Sequence, residues 1–115
     1  MASTISKFDR TQRIRALNDA FRKSFIGGAV MVTQGVAKLD GNTQQAILTR
    51  VRNYTSFNSD NDPHGEHDFG SIEIEGQRVF FKIDYYDRDL EFASPDAADP
   101  SVTARVLTVM LADEY

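Results

Sequence analysis

Between Asp9 and Phe25 the apolar residues Ile14, Leu17, Phe21 and Phe25 recur at spacings of three and four. That period places them on one face of a helix. Asp9 or Thr11 is positioned to cap its start, and Gly27-Gly28 to end it, because glycine accepts the left-handed conformation found at helix C-termini. Arg13, Arg15, Arg22 and Lys23 surround the other side, as on a solvated helix. "AVMVT" (29–33) is a β-branched run of strand length, apolar on both faces, and predicts a buried strand. Gly35 interrupts it, and "GVAKL" reads as a short helical turn. Asp40 is the expected cap of a second helix over 42–54. Ile47, Val51 and Tyr54 form its inner face, Leu48 widens it, and Arg50 and Arg52 lie towards the other side.

From 55 to 68 the chain is polar and has no apolar period, which predicts a loop. "FGSIEIE" then alternates, with Ile72 and Ile74 inward. "QRVFFKIDYY" alternates with Val79, Phe81, Ile83 and Tyr85 on one face, and Gly76 supports a tight hairpin between the two runs. Phe80 and Tyr86 make the second face partly apolar. "LEFA" (90–93) predicts a third short strand, and "SPDAADP" a loop. Asp99-Pro100 reads as a helix start, followed by a last helix over about 100–112 presenting Val102, Val106, Val109 and Met110. The expected architecture is α+β: a mainly antiparallel sheet, made of a three-strand meander plus one earlier strand, with three helices packed on one face. Residues 9–115 form one domain, and residues 1–8 are expected to be disordered.

Composition narrows the function classes. A chain of 115 residues suits one core. It has no cysteine, which excludes disulfides, thiolate metal sites and cysteine nucleophiles. No apolar run reaches membrane-spanning length, no secretory signal is evident, and cytoplasmic residence is the default. The net charge of −4 conceals a split. Residues 1–55 hold nine Lys or Arg against three acids, and residues 56–115 hold four against fourteen. Either the halves neutralise one another or each meets an external partner. For the basic half that partner would be a nucleic acid, held through Arg10, Arg13, Arg15, Arg22, Lys23, Arg50 and Arg52. Overall acidity and the lack of a recognition or base-stacking motif oppose this.

One stretch invites a chemical reading: "NDPHGEHDFG", residues 61–70. His64 and His67 are the weak candidates for a metal, with Asp84 or Asp87 as a third ligand. The helical zinc motif, however, needs histidines four apart with glutamate after the first, and Pro63 and Gly65 oppose a helix here. Asp60, Asp62 and Gly65 match positions one, three and six of a calcium-binding EF-hand loop. Ser71 stands where position twelve requires glutamate. A catalytic reading would centre on His67 oriented by Glu66 or Asp68, with Asp84 and Tyr86 nearby, in a hydrolase. No nucleophile elbow and no phosphate-cradling loop accompanies it. The favoured reading is structural: Asn61, Asp62 and Pro63 form turns, and His67 pins the loop to the sheet. Should the loop instead form a binding surface, Asp62, His64, Glu66, His67, Asp68 and Asp87 would contribute.

The blocks "RIRALNDAFR", "NDPHGEHDFG", "FFKIDYYD", "SPDAADP" and "TARVLTVMLADEY", in this order, resemble a family of short bacterial proteins of unknown function. The resemblance covers nearly everything from Arg13 onward. It implies a stand-alone domain encoded near accessory or plasmid-borne genes, and no assigned activity. At His64 the family pattern commonly has tyrosine, which shifts weight from a two-histidine site to Glu66-His67-Asp68. The accessory setting suggests an inhibitor of a host defence system, such as restriction or CRISPR. The leading expectation is a non-enzymatic, protein-binding module without a cofactor, whose acids Glu73, Glu75, Asp87, Asp89 and Glu91 engage a basic partner.

Overall fold

The computed structural model describes residues 6–115. The first helix, α1, runs from Lys7 to Ser24. Ser6 caps it in place of Asp9 or Thr11, its hydroxyl accepting from the Asp9 amide at 3.1 Å. Its end is formed by Phe25 in the left-handed conformation, ahead of the expected glycines. Residues 1–5 of the segment expected to be disordered lie outside the described residues, and Lys7 and Phe8 are helical.

Strand β1 (Gly28–Val32) leads into a one-turn helix, α2 (Gln34–Ala37). Helix α3 (Gly41–Arg52) follows, and Asp40 caps it as expected, accepting from the Thr43 amide at 2.8 Å. A long loop leads to the hairpin of β2 (Phe69–Ile74) and β3 (Gln77–Tyr86). Its turn, Glu75-Gly76, holds both residues at positive φ, 52° and 74°. That is the two-residue geometry whose twist matches the strands.

The C-terminal third departs from the expected helix. Pro100–Val102 is a single 3-10 turn capped by Asp99, and Ala104–Leu111 is strand β4. β4 inserts between β1 and β3, so the sheet order is β1-β4-β3-β2. It pairs parallel with β1 and antiparallel with β3, making the sheet mixed and mostly antiparallel. A central strand has backbone partners along both edges, and β4 is apolar on its outward face too, at Val106 and Met110, which blurs the alternation. A short apolar run of that kind fits helix and strand patterns alike. "LEFA" contributes only one bridge, Tyr86 to Ala93. Among the described residues there are three α-helices, but the one added to the two expected near the N-terminus is α2 and not the C-terminal segment.

The core lies between the helices and one sheet face. Phe21, Val36, Ile47 and Val51 pack on Ile72, Val79, Phe81, Ile83, Leu107 and Val109, all buried. Gly70 belongs to this face because a Cβ there would overlap the Phe81 ring. The opposite face carries Phe69, Phe80, Lys82, Asp84, Tyr86, Val106 and Met110, alternating with the core positions. β1 is an edge strand and mostly exposed, which corrects the expectation of a buried strand. Among the described residues no helix is long and apolar enough to cross a membrane.

Candidate functional site

The inner face of α1 is not purely apolar. Ile14 and Phe21 share it with Asn18 and Arg22, and all four are buried. The expectation of Arg22 on a solvated side is therefore corrected. These polar side chains persist in the interior because each finds partners: Glu66, Tyr85 and Arg105 for Asn18, and Asp19 and the Tyr54 carbonyl for Arg22.

The loop first folds on itself. The Asn58 carboxamide oxygen accepts from the amides of Asp60 and Asn61, and Asn61 returns a bond to the Asn58 amide. Asp62, only 7% exposed, accepts from the Glu66 and His67 amides, both at 3.1 Å through Oδ1. This tight wrap requires positive φ at Gly65 (71°) and at His67 (55°). Glycine takes that conformation freely; histidine is held there by its side-chain contacts. Helix α1 then grips the wrapped loop. Arg15 Nε donates to the Gly65 carbonyl, and Asn18 Nδ2 to the Glu66 carbonyl at 2.9 Å.

His67 is enclosed on three sides. Phe57 stacks on its ring at 3.9 Å with the planes 3° apart. Its Nδ1 lies 2.8 Å from Asp19 Oδ1, and its Nε2 lies 3.8 Å from Asp62 Oδ2. Arg22 donates to Asp19 at 2.9 Å and to the Tyr54 carbonyl at 3.2 Å. Its guanidinium covers Phe57 at 5.1 Å, while its Nε is buried without a hydrogen-bond partner. Partial burial pulls the Asp19 carboxyl upward, but hydrogen bonds from Arg22 and His67 outweigh it and hold the carboxyl below its ordinary value. A cleft of about 140 Å³ opens beside these groups, lined by Asp19, Arg22, Lys23, Tyr54, Thr55, Phe57 and His67.

A second chain of bonds crosses the sheet. The Tyr85 hydroxyl donates to Glu66 Oε1 at 2.8 Å and accepts from Asn18 Nδ2 at 2.7 Å. Asn18 Oδ1 accepts from Arg105 Nε at 2.9 Å, and Arg105 also donates to the Ala97 carbonyl. Burial, then the bond to Glu66, pushes the Tyr85 hydroxyl well above its ordinary value, so it remains a donor. The network joins α1, the loop, β3, β4 and the 94–99 segment.

The structure thus unites Asp62, Glu66 and His67 but separates other sequence candidates from them. Asp84 and Tyr86 alternate with Tyr85, so they project from the opposite face, where Asp84 pairs with Lys82 at 2.8 Å. His64 is exposed on the loop, and Asp87 starts the turn after β3, accepting from the Glu91 amide. Among the described residues no three His, Asp or Glu side chains are grouped to hold a metal. Asp68 carries a burial penalty. Desolvation, followed by the charges of Glu66 and Asp62, raises its carboxyl above the ordinary value. Its folded-state value exceeds the unfolded one, so its charge destabilises the fold increasingly as pH rises through that range. Asp68→Asn is therefore expected to raise the melting midpoint at neutral pH. The gain should vanish in acid, where the native carboxyl is protonated; parallel melts at pH 7 and pH 3 check this, and an unchanged pH 7 midpoint refutes it.

Sequence reasoning missed Asn18, Asp19, Arg22, Tyr54, Phe57, Tyr85 and Arg105 as members of this cluster. Two signals were available. Asn18 falls four after Ile14 and three before Phe21, on the apolar stripe, and Arg105 alternates with Leu107 and Val109.

His67 Nδ1 is hydrogen-bonded to Asp19, whereas Nε2, 3.8 Å from Asp62, makes no hydrogen bond among the described residues. What this arrangement does chemically is fasten a long loop to a helix and a sheet.

Comparison with protein families returns one decisive match: residues 32–114 fit the model described as "Protein of unknown function (DUF3768)". The chain belongs to that family. The DUF3768 span contains the whole loop, the hairpin and β4, and α1 with Asn18, Asp19 and Arg22 precedes it. Comparison with curated proteins and with solved structures gave no match.

Proposed function

We propose that this DUF3768 domain acts by non-enzymatic protein recognition, using the sheet face that no helix covers. One observation carries the reading. Phe69, Phe80 and Tyr115 meet edge to face or tilted on that side, with ring centroids 5.1–5.9 Å apart, and Tyr115 is 76% exposed. Clustered aromatic side chains presented on a rigid sheet are the groups that anchor protein interfaces. Glu73–Arg78 and Lys82–Asp84 form ion pairs on the same face and would supply a polar rim.

The acidic excess flanks this surface. Glu75 sits at the hairpin turn, and Asp87, Asp89 and Glu91 lie beyond the other end of β3, beside exposed Leu90 and Phe92. A basic partner suits these ends. The basic half, in contrast, spends several cations internally: Arg10 pairs with Asp96 at 2.9 Å, Arg22 with Asp19, and Arg52 donates to the Lys23 carbonyl. The accessory-gene setting implied by the resemblance makes bacterial defence proteins, of the restriction and CRISPR type, the first partners to screen.

The test is capture of a partner with the tagged chain, followed by affinity measurement with a Phe80→Ser/Tyr115→Ala variant. A loss of about tenfold or more is expected, with further weakening of the wild-type complex at high salt. Unchanged affinity for the variant would discard the proposed surface, and indifference to salt would discard the basic partner.

A further inference from the structure

The exposed edge strand β1 presents a problem that the recognition surface does not solve. Natural sheets guard free edges with charge, proline, bulges or a covering element, because unpaired backbone groups template another strand. β1 reads Gly-Ala-Val-Met-Val and has none of these side chains, and four of its five residues are exposed. The opposite edge, β2, carries Glu73 and is followed by Glu75.

The direction of the free groups can be read from one bond. The Thr33 amide donates to the Val109 carbonyl of β4. Backbone groups alternate sides along a strand, so Ala29 and Met31 also face β4. Gly28, Val30 and Val32 then turn their N–H and C=O groups outward.

We propose that β1 is a self-association edge, through which two copies of this chain pair antiparallel and merge their sheets. Centring the two-fold axis on Val30 sets it opposite its own counterpart, and sets Gly28 opposite Val32 of the second copy. Each of these pairs exchanges two backbone hydrogen bonds. The same register places Met31 of one copy beside Ala29 of the other, on the helix-free face. Met31 is 56% exposed, and Ala29 borders a groove of about 550 Å³ whose apolar wall is Val106, Leu90, Pro100 and Ala104, with Arg88 and Arg105 also lining it. The exposed methionine and the groove that would take it lie on one strand in matching register. That self-complementarity points to a second copy in preference to an unrelated peptide. β1 itself carries no charged side chain, so the two paired strands bring no like charges together along their length. The pairing leaves Phe69, Phe80 and Tyr115, beyond β4, free for the partner proposed above, and it does not depend on that partner.

Sedimentation equilibrium of the full chain over a concentration series tests this. The wild type should show a reversible monomer–dimer equilibrium. Met31→Lys places an unpaired charge in the groove and should raise the dimer dissociation constant by about tenfold or more. Val32→Pro removes an outward N–H that the monomer does not use and should have the same effect. Circular dichroism of Met31→Lys, an exposed position, should match the wild type. A wild type monomeric at every concentration overturns the proposal, and so does an undiminished dimer in Met31→Lys.

Discussion

Replacing Asn18 by leucine is expected to cost about 3–5 kcal/mol of folding stability, far more than the loss of one amide suggests. Asn18 is fully buried, and its carboxamide serves three elements. Its oxygen accepts from Arg105, and its nitrogen donates to the Glu66 carbonyl and the Tyr85 hydroxyl. Leucine fills similar space but leaves the Arg105 guanidinium, itself 4% exposed, without its side-chain acceptor. It remains bonded to the Ala97 carbonyl alone, in surroundings where burial already disfavours its charge. Chemical denaturation gives the size of the loss. A double-mutant cycle with Arg105→Met gives its origin: removing the stranded cation should restore part of the stability, so the double variant should be less damaged than the sum of the singles. A single-variant cost below about 1 kcal/mol, within the range of an ordinary surface change, would show that the network is not what joins α1 to the sheet.

The second large effect is expected at Asp62. Asp62→Ala removes the acceptor for two backbone amides in a part-buried turn, at about 1–3 kcal/mol for each buried donor left unsatisfied. It also removes the neighbour of His67 Nε2. A total of about 2–4 kcal/mol follows, because water reaches part of the loop and re-bonds one amide. Asp62→Asn keeps an acceptor oxygen and should lose less than half as much. Thermal melts of the two variants separate the alternatives. Equal losses would mean that the side chain's charge matters and not its two hydrogen bonds. If both variants melted like wild type, the loop would not be an anchored structural element, and a reactive role for His67 would regain weight.

These two residues show how unevenly the chain discloses itself. The spacing of Ile14 and Phe21 predicts the first helix, Asp40 predicts the cap of α3, and Gly76 between two alternating runs predicts the hairpin. All three rest on contacts within a few residues. Asp62 was legible as a turn former for the same reason, since its partners are the amides four and five residues ahead. The partners of His67 were not. Asp19 lies forty-eight residues away, and Phe57 lies in a loop without periodicity. A carboxylate beside the histidine in sequence, Asp68, drew attention that belonged to Asp19.

Local order therefore determined the helix over α1, the capped α3, the β2–β3 hairpin with its inward face, and the turn-forming nature of 61–70, because short-range hydrogen bonds and side-chain period decide these. The tertiary structure alone decided the rest. It made 104–111 a central strand, since a run of valines and leucines satisfies either period until β1 and β3 offer backbone partners on both sides. It left β1 at an edge, since an apolar run is silent about how many neighbours it has. It set Tyr85, and not Tyr86, against Glu66, and brought Asn18 and Arg105 into one bonded chain, because buried polar groups are stable only where distant segments supply their counterparts.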